Sequence, residues 1–153
     1  MSKTLAVSGQ HYLFDVQTFA HTVLAAGGDE YSYALRDRTT QGVIDDVANG
    51  VSDLGVLLKT SASEGALDAA FEAAGVRYTE LVQSAPRVAL PSSHPLSNAK
   101  SLRLEDLSDW PYIYFEQEKD VPSEFAEEAV CDPAPAKKIA TTDRASLSEL
   151  CVA

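Results

Sequence analysis

The chain is poor in cysteine, in basic charge and in long apolar runs, and each shortage closes off a class of function. Its two cysteines, Cys131 and Cys151, are too few for a disulfide framework and lack metal-site spacing. They fit two reduced thiols in a cytosolic protein. No apolar run approaches the ~20 residues that span a bilayer. Met1-Ser2-Lys3-Thr4 leads into only a few apolar residues before Ser8-Gly9-Gln10-His11, too short for an export signal. A cytoplasmic location without a membrane partner is therefore expected. Lys and Arg total 12 against 23 Asp and Glu, a formal charge of −11. From Glu116 to Asp132 there are seven acidic residues with only Lys119 to offset them. A DNA-binding surface needs clustered Lys and Arg to displace counterions from phosphates, and no such cluster exists. The chain by itself is expected not to bind nucleic acid.

Signals for catalysis are also scarce. His11, His21 and His94 lie far apart, and no Ser or Cys sits in a nucleophile-elbow context. Neither H-E-x-x-H nor C-x-x-C spacing occurs. Gly27-Gly28 follows a helical pattern and precedes an extended one, which makes it a helix stop and not a phosphate loop. No catalytic residue, metal ligand or cofactor is indicated, although 23 acids leave a carboxylate pair open.

What the chain does contain is an alternation of strand and helix patterns in 153 residues with 45% hydrophobic content, typical of a globular protein. Thr4–Ser8 reads as a buried strand. Tyr12 to Ala26 follows as a helix with Leu13, Val16, Phe19, Ala20, Val23 and Leu24 at helical spacing. Tyr31–Arg36 is a second strand. Thr40–Gly50 is a second helix, with Ile44, Val47, Ala48 and Val51 on one face. Asp53–Leu58 is apolar on both faces, as a central parallel strand should be. Ala66–Ala74 is a third helix, carrying Leu67, Ala70, Phe71 and Ala74. Three such alternations imply a parallel sheet covered by helices. Beyond this, Tyr78–Gln83 and Arg87–Leu90 are extended runs around Pro86, a crossing between lobes. Leu102–Trp110 reads as a short amphipathic helix and Tyr112–Glu116 as an aromatic strand. An acidic helix over Ser123–Val130, a strand over Lys137–Thr141 and a helix from Asp143 complete the pattern.

Thr40-Gln41-Gly42-Val43-Ile44-Asp45-Asp46-Val47-Ala48-Asn49-Gly50-Val51-Ser52-Asp53-Leu54-Gly55-Val56 resembles the LysR-type pattern of a helix ending near Gly, then an Asp opening an apolar strand. Arg87–Leu90 followed by Pro91-Ser92-Ser93-His94-Pro95-Leu96 resembles that family's hinge strand and His-Pro-Leu signature. Leu104-Glu105-Asp106-Leu107 and Trp110-Pro111-Tyr112-Ile113 match its next helix and strand. The resemblance covers nearly the whole chain. It implies an α/β, two-lobed fold like type 2 periplasmic binding proteins, with Rossmann-like lobes at 1–84 and 85–153, the second incomplete because the family domain continues past Ala153. It also implies a small-molecule effector domain of a transcription regulator that reaches DNA only through an N-terminal helix-turn-helix absent from this sequence. Pairing into a homodimer or higher oligomer through the first helix follows too, with Phe14 and Leu24 as candidate contacts.

Three loops fall where a strand gives way to a helix: Ser8-Gly9-Gln10, Thr39-Thr40-Gln41 and Thr141-Thr142-Asp143. In an open α/β sheet, ligands bind at the carboxyl ends of strands, where free N–H groups and the helix dipole favour anions. Ordinary N-capping explains the same residue types. Ser8, Gln10, Thr39, Thr40, Thr60 and Thr142 are the candidate effector-binding residues, and a small anionic metabolite is the expected ligand. Ser61, Phe115 and Glu116 are candidate walls of that cleft, with a core role equally open to Phe115. Arg36 and Arg38 are candidate carboxylate partners, although solvated surface charges are the better reading of both. A solute-binding protein of the same fold and a small α/β enzyme remain the alternatives.

Overall fold

The computed structural model describes residues 3–10, 12–26, 31–126, 135 and 137–152. His11, Gly27-Gly28, Cys131 and the end of the expected acidic helix lie outside the described residues. The chain forms two compact units, one of Met1–Tyr78 with Gln117–Phe125 and one of Thr79–Glu116 with Ala126–Ala153.

The first unit holds a parallel sheet of β1 (Lys3–Gly9), β2 (Tyr31–Asp37) and β3 (Leu54–Val56) in the order β2-β1-β3. Helices α1 (Leu13–Ala26) and α2 (Thr40–Ala48) connect these strands, and α3 (Glu64–Ala74) follows β3. The alternation read from the sequence is therefore present. One assignment is corrected: β1, and not β3, is the central strand of the described sheet. Val7 pairs with both Leu35 and Leu54, and Gly9 with both Asp37 and Val56. Apolar residues on both faces of β3 suggested a fully covered strand, but Leu54 is 59% exposed.

The core gathers Ile44 of α2 and Leu67 and Phe71 of α3, with Leu57, Ala66, Ala70, Ala74 and Val76 around them. Phe125 is buried in the same cluster, although 54 positions separate it from Phe71 in the chain. The apolar stripe of α3 is as its periodicity indicates. That of α2 is rotated: Thr40, Val43 and Ile44 are buried, whereas Ala48 and Val51 are exposed. Gly55 explains the rotation. A Cβ there would lie 2.7 Å from Val43 Cγ1 and 3.0 Å from Val47 Cγ2, so α2 rests directly on the backbone of β3. On α1 the expected core stripe is mostly outside: Leu13, Val16 and Leu24 are exposed, and Phe19 meets Tyr33 edge to face at 6.4 Å.

In the second unit β4 (Tyr112–Phe115) pairs in parallel with β5 (Lys138–Thr141), and α4 (Arg144–Val152) follows. The runs at 78–83 and 87–90 do not form strands; they join no ladder, and Leu81 and Val82 are exposed. The expected helix over Leu102–Trp110 contracts to a 3-10 turn at Leu104–Leu107. Asp106 Oδ2 accepts from Arg103 N at 2.9 Å at its start, and Pro111 forbids continuation beyond Trp110. Of the expected acidic helix, Ser123–Phe125 forms a 3-10 turn, and 127–130 lie outside the described residues. The His-Pro-Leu element is a compact turn in which His94 Nδ1 accepts from Leu96 N at 3.1 Å and its ring packs on Trp110 at 4.2 Å.

Candidate functional site

Most of the expected effector residues collect in the first unit, at the carboxyl end of β1 and the first turn of α2. Ser8 leaves β1 toward α2, and its hydroxyl is wholly buried. It donates to Asp46 Oδ2 at 2.6 Å and shares a 2.8 Å hydrogen bond with Ser52 Oγ. Arg36 Nη1 donates to the same Ser52 Oγ at 3.3 Å, and Arg38 Nε to Asp46 Oδ2 at 2.9 Å. Both arginines thus turn toward the Ser8–Asp46–Ser52 cluster. Partial burial pushes the Asp46 carboxyl upward, but the Ser8 and Arg38 hydrogen bonds and the charges of Arg38 and Arg36 outweigh it. The group ends below the usual carboxylate range.

Gln10 ties this strand end to its neighbours. Its Nε2 donates to Thr40 Oγ1 at 2.5 Å, and its Oε1 accepts from Leu58 N at 2.6 Å just beyond β3. Gly9, between Ser8 and Gln10, lies against the Asp15 carboxylate, which would have to shift to admit a Cβ there. Thr40 Oγ1 in turn donates to Phe125 O at 2.7 Å. Gln10 and Thr40 are both buried, so the pair is a satisfied polar element inside the fold.

Thr39 is the N-cap of α2, its Oγ1 accepting from Gly42 N at 3.2 Å. The capping explanation thus holds for this residue. Its hydroxyl also donates to Glu118 Oε1, while Thr40 N donates to Gln117 Oε1 at 3.3 Å. The first turn of α2 is therefore met by side chains from a segment about 78 positions downstream. Thr60 stands apart from this cluster, in a reciprocal pair with Ser63: Thr60 N donates to Ser63 Oγ at 2.9 Å and Ser63 N to Thr60 Oγ1 at 3.1 Å. Ser61 beside it is exposed.

In the second unit Thr142 is exposed at the junction of β5 and α4. Asp143 next to it receives Ser146 N at 2.8 Å and Ser146 Oγ at 2.7 Å, again a capping arrangement. Phe115 is buried beneath the guanidinium of Arg144, and Glu116 is exposed. His21 is exposed on α1. Among the described residues, no three His, Cys, Asp or Glu side chains cluster as metal ligands.

Gln117, Glu118 and Phe125 were not anticipated as neighbours of this site. Their one signal in the sequence is a lone aromatic residue inside an acidic stretch, which marks an anchored segment and not a solvated one. Asp46 and Ser52 were equally unmarked, because their partners on β1 lie 38 and 44 positions away.

Parallel strands feeding helices, with polar side chains at the strand ends, define an α/β fold of the kind that holds ligands at its strand ends. A family model, the LysR substrate binding domain, matches residues 30–151. The chain belongs to that family, which senses effectors on behalf of LysR-type transcription regulators and is regulatory in role. No curated protein matches the chain. Among the described residues no helix is long and apolar enough to cross a membrane.

Proposed function

We infer that this domain senses a small anionic metabolite at the first turn of α2, with the Thr39 hydroxyl and the Thr40 backbone N–H as the contacts and Ser8 and Gln10 holding the helix start in place. The observation that carries this reading is the position of the Gln10–Thr40 pair. It locks the carboxyl end of β1 to the N-terminus of α2, where the helix dipole and backbone N–H groups favour negative charge. Arg36 and Arg38 add positive charge to the same cluster. Thr142 offers an exposed hydroxyl at the junction of β5 and α4 in the second unit. Family membership supports treating the two units as lobes of a periplasmic-binding-protein-like fold, in a cytoplasmic regulator that works as a homodimer or larger assembly. Signalling requires that the effector favour one of two conformations, since equal affinity for both would shift nothing.

Calorimetric titration with small carboxylates and oxyanions tests the assignment. Thr39→Val keeps the side-chain volume and removes the hydroxyl at the start of α2, and Thr142→Ala alters an exposed position. Loss of a charge-assisted hydrogen bond should weaken binding by roughly ten- to a hundredfold. Unchanged affinity in both variants and in Ser8→Ala would place the site elsewhere.

A further inference from the structure

We propose that residues 117–119 are an internal occupant of the effector site, with the Glu118 carboxylate standing where the anionic group of the effector binds. The proposal rests on the anion-sensing reading above and specifies how that site is regulated: effector and chain compete for one helix terminus.

Two observations carry it. The first is the contact itself. Thr39 Oγ1 donates to Glu118, and Thr40 N donates to Gln117 Oε1 at 3.3 Å. A carboxylate on the cap residue and an acceptor on the first helical N–H are what an anionic ligand would supply. The second is an incomplete seat. Gln117 Nε2 is fully buried and has no hydrogen-bond partner among the described residues. A side chain that belonged there permanently would have its buried donor satisfied, as nearly all such groups do. Here the Gln117 side chain gains one long hydrogen bond through Oε1 and forfeits another through Nε2.

The rest of the segment shows how the front can leave without unfolding the unit. Phe125 is buried with Ile44, Leu67 and Phe71, and Val121 packs against them, so the far end is anchored by apolar burial. Between front and anchor, Asp120 adopts φ 67°, a left-handed conformation rare for a side chain other than Gly or Asn/Asp. It marks a bend about which 117–119 can swing while 121–125 stay in place. Glu118 is exposed, so its bond to Thr39 is open to competition by solute anions.

Hydrogen exchange read by mass spectrometry, together with calorimetry, tests the proposal on the whole chain. The variants are Glu118→Gln, which keeps shape and removes charge, and Glu118→Ala. Peptides over 117–119 should exchange faster in both variants, by about tenfold in Glu118→Ala, while peptides over 121–125 keep their protection. The probes are acetate, succinate, benzoate and inorganic phosphate. Any probe that binds the parent chain should bind about three- to tenfold tighter to Glu118→Ala, with Glu118→Gln in between, because an occupied fraction of the site is freed. Equal affinity in all three chains would overturn the competition and leave the sensing reading intact. Absence of binding to any of the three, with exchange accelerated in the variants, would overturn both and leave Glu118 as a helix cap. Unchanged exchange over 117–119 would show that Glu118 does not hold the segment.

Discussion

Replacing Ser8 by Ala isolates the polar contact between β1 and α2. The change removes one oxygen atom from a wholly buried site, so it leaves almost no cavity, and its cost comes from hydrogen bonding. A hydrogen bond to a charged acceptor contributes about 1.5–3 kcal/mol. Asp46 keeps its bond to Arg38 and is 14% exposed at the side chain, so it is not stranded. The lower part of that range applies, about 1.5–2 kcal/mol at neutral pH. In a chain of this size that corresponds to a fall in Tm of roughly 3–8 °C. The pH dependence follows from the lowered Asp46 value. A carboxyl whose folded pKa lies below its unfolded value contributes stability that is complete above the unfolded value and lost as pH falls through the folded one. Ser8 supplies part of that lowering, so the gap between parent and variant should narrow on acidification through the carboxylate range. Urea unfolding at neutral pH and at progressively lower pH measures both effects. A loss below about 0.5 kcal/mol, or a gap that stays constant with pH, would refute the assignment of Ser8 as the donor that holds Asp46.

Gly55→Ala should destabilise by about 1–3 kcal/mol through overpacking against Val43 and Val47, and adding Val43→Ala should recover part of the loss in thermal unfolding. Phe125→Ala should cost about 3–5 kcal/mol in urea unfolding, since the ring is buried among Ile44, Leu67 and Phe71; a loss under 1 kcal/mol would deny it a core role. Phe14 and Leu24 are 48% and 79% exposed on α1, and Phe14→Ser with Leu24→Ser should leave the fold within about 0.5 kcal/mol. If α1 mediates pairing, that double variant sediments as a monomer at concentrations where the parent associates.

Local signals in the sequence carried most of the elements and almost none of the connections between them. β1, α1, β2, α2 and α3 were legible because each is a run of one periodicity closed by a turn residue or a cap. Thr39 was legible as the start of α2 by the same local rule. Where an element depends on a partner, pattern alone misled. The apolar residues of β3 do not reveal that, among the described residues, the strand pairs with β1 alone, and 87–90 looks extended without a described ladder to join. The stripe on α2 turned toward Thr40 and Val43 because Gly55 lets the helix approach, a fact held on another element. At the site, Ser8, Gln10, Thr39 and Thr40 were visible as strand-end and helix-start residues. Asp46, Ser52, Gln117 and Phe125 were not, because each meets its partner across 38 to 85 positions.

The passage of Phe125 into the core of the first unit also bears on the order in which the chain can fold during synthesis. The strands and helices up to Tyr78 emerge from the ribosome with their apolar cluster open on the side that Phe125 later fills. The first unit is thus completed only after most of the second unit's β4 side has been made, with residues 79–116 looped out between its two pieces. Closing that loop costs chain entropy before any core contact repays it, and such long-range closure is slow relative to helix formation. The nascent first unit therefore spends the intervening synthesis time with Ile44, Leu67 and Phe71 partly uncovered, a window in which a chaperone has an apolar surface to hold.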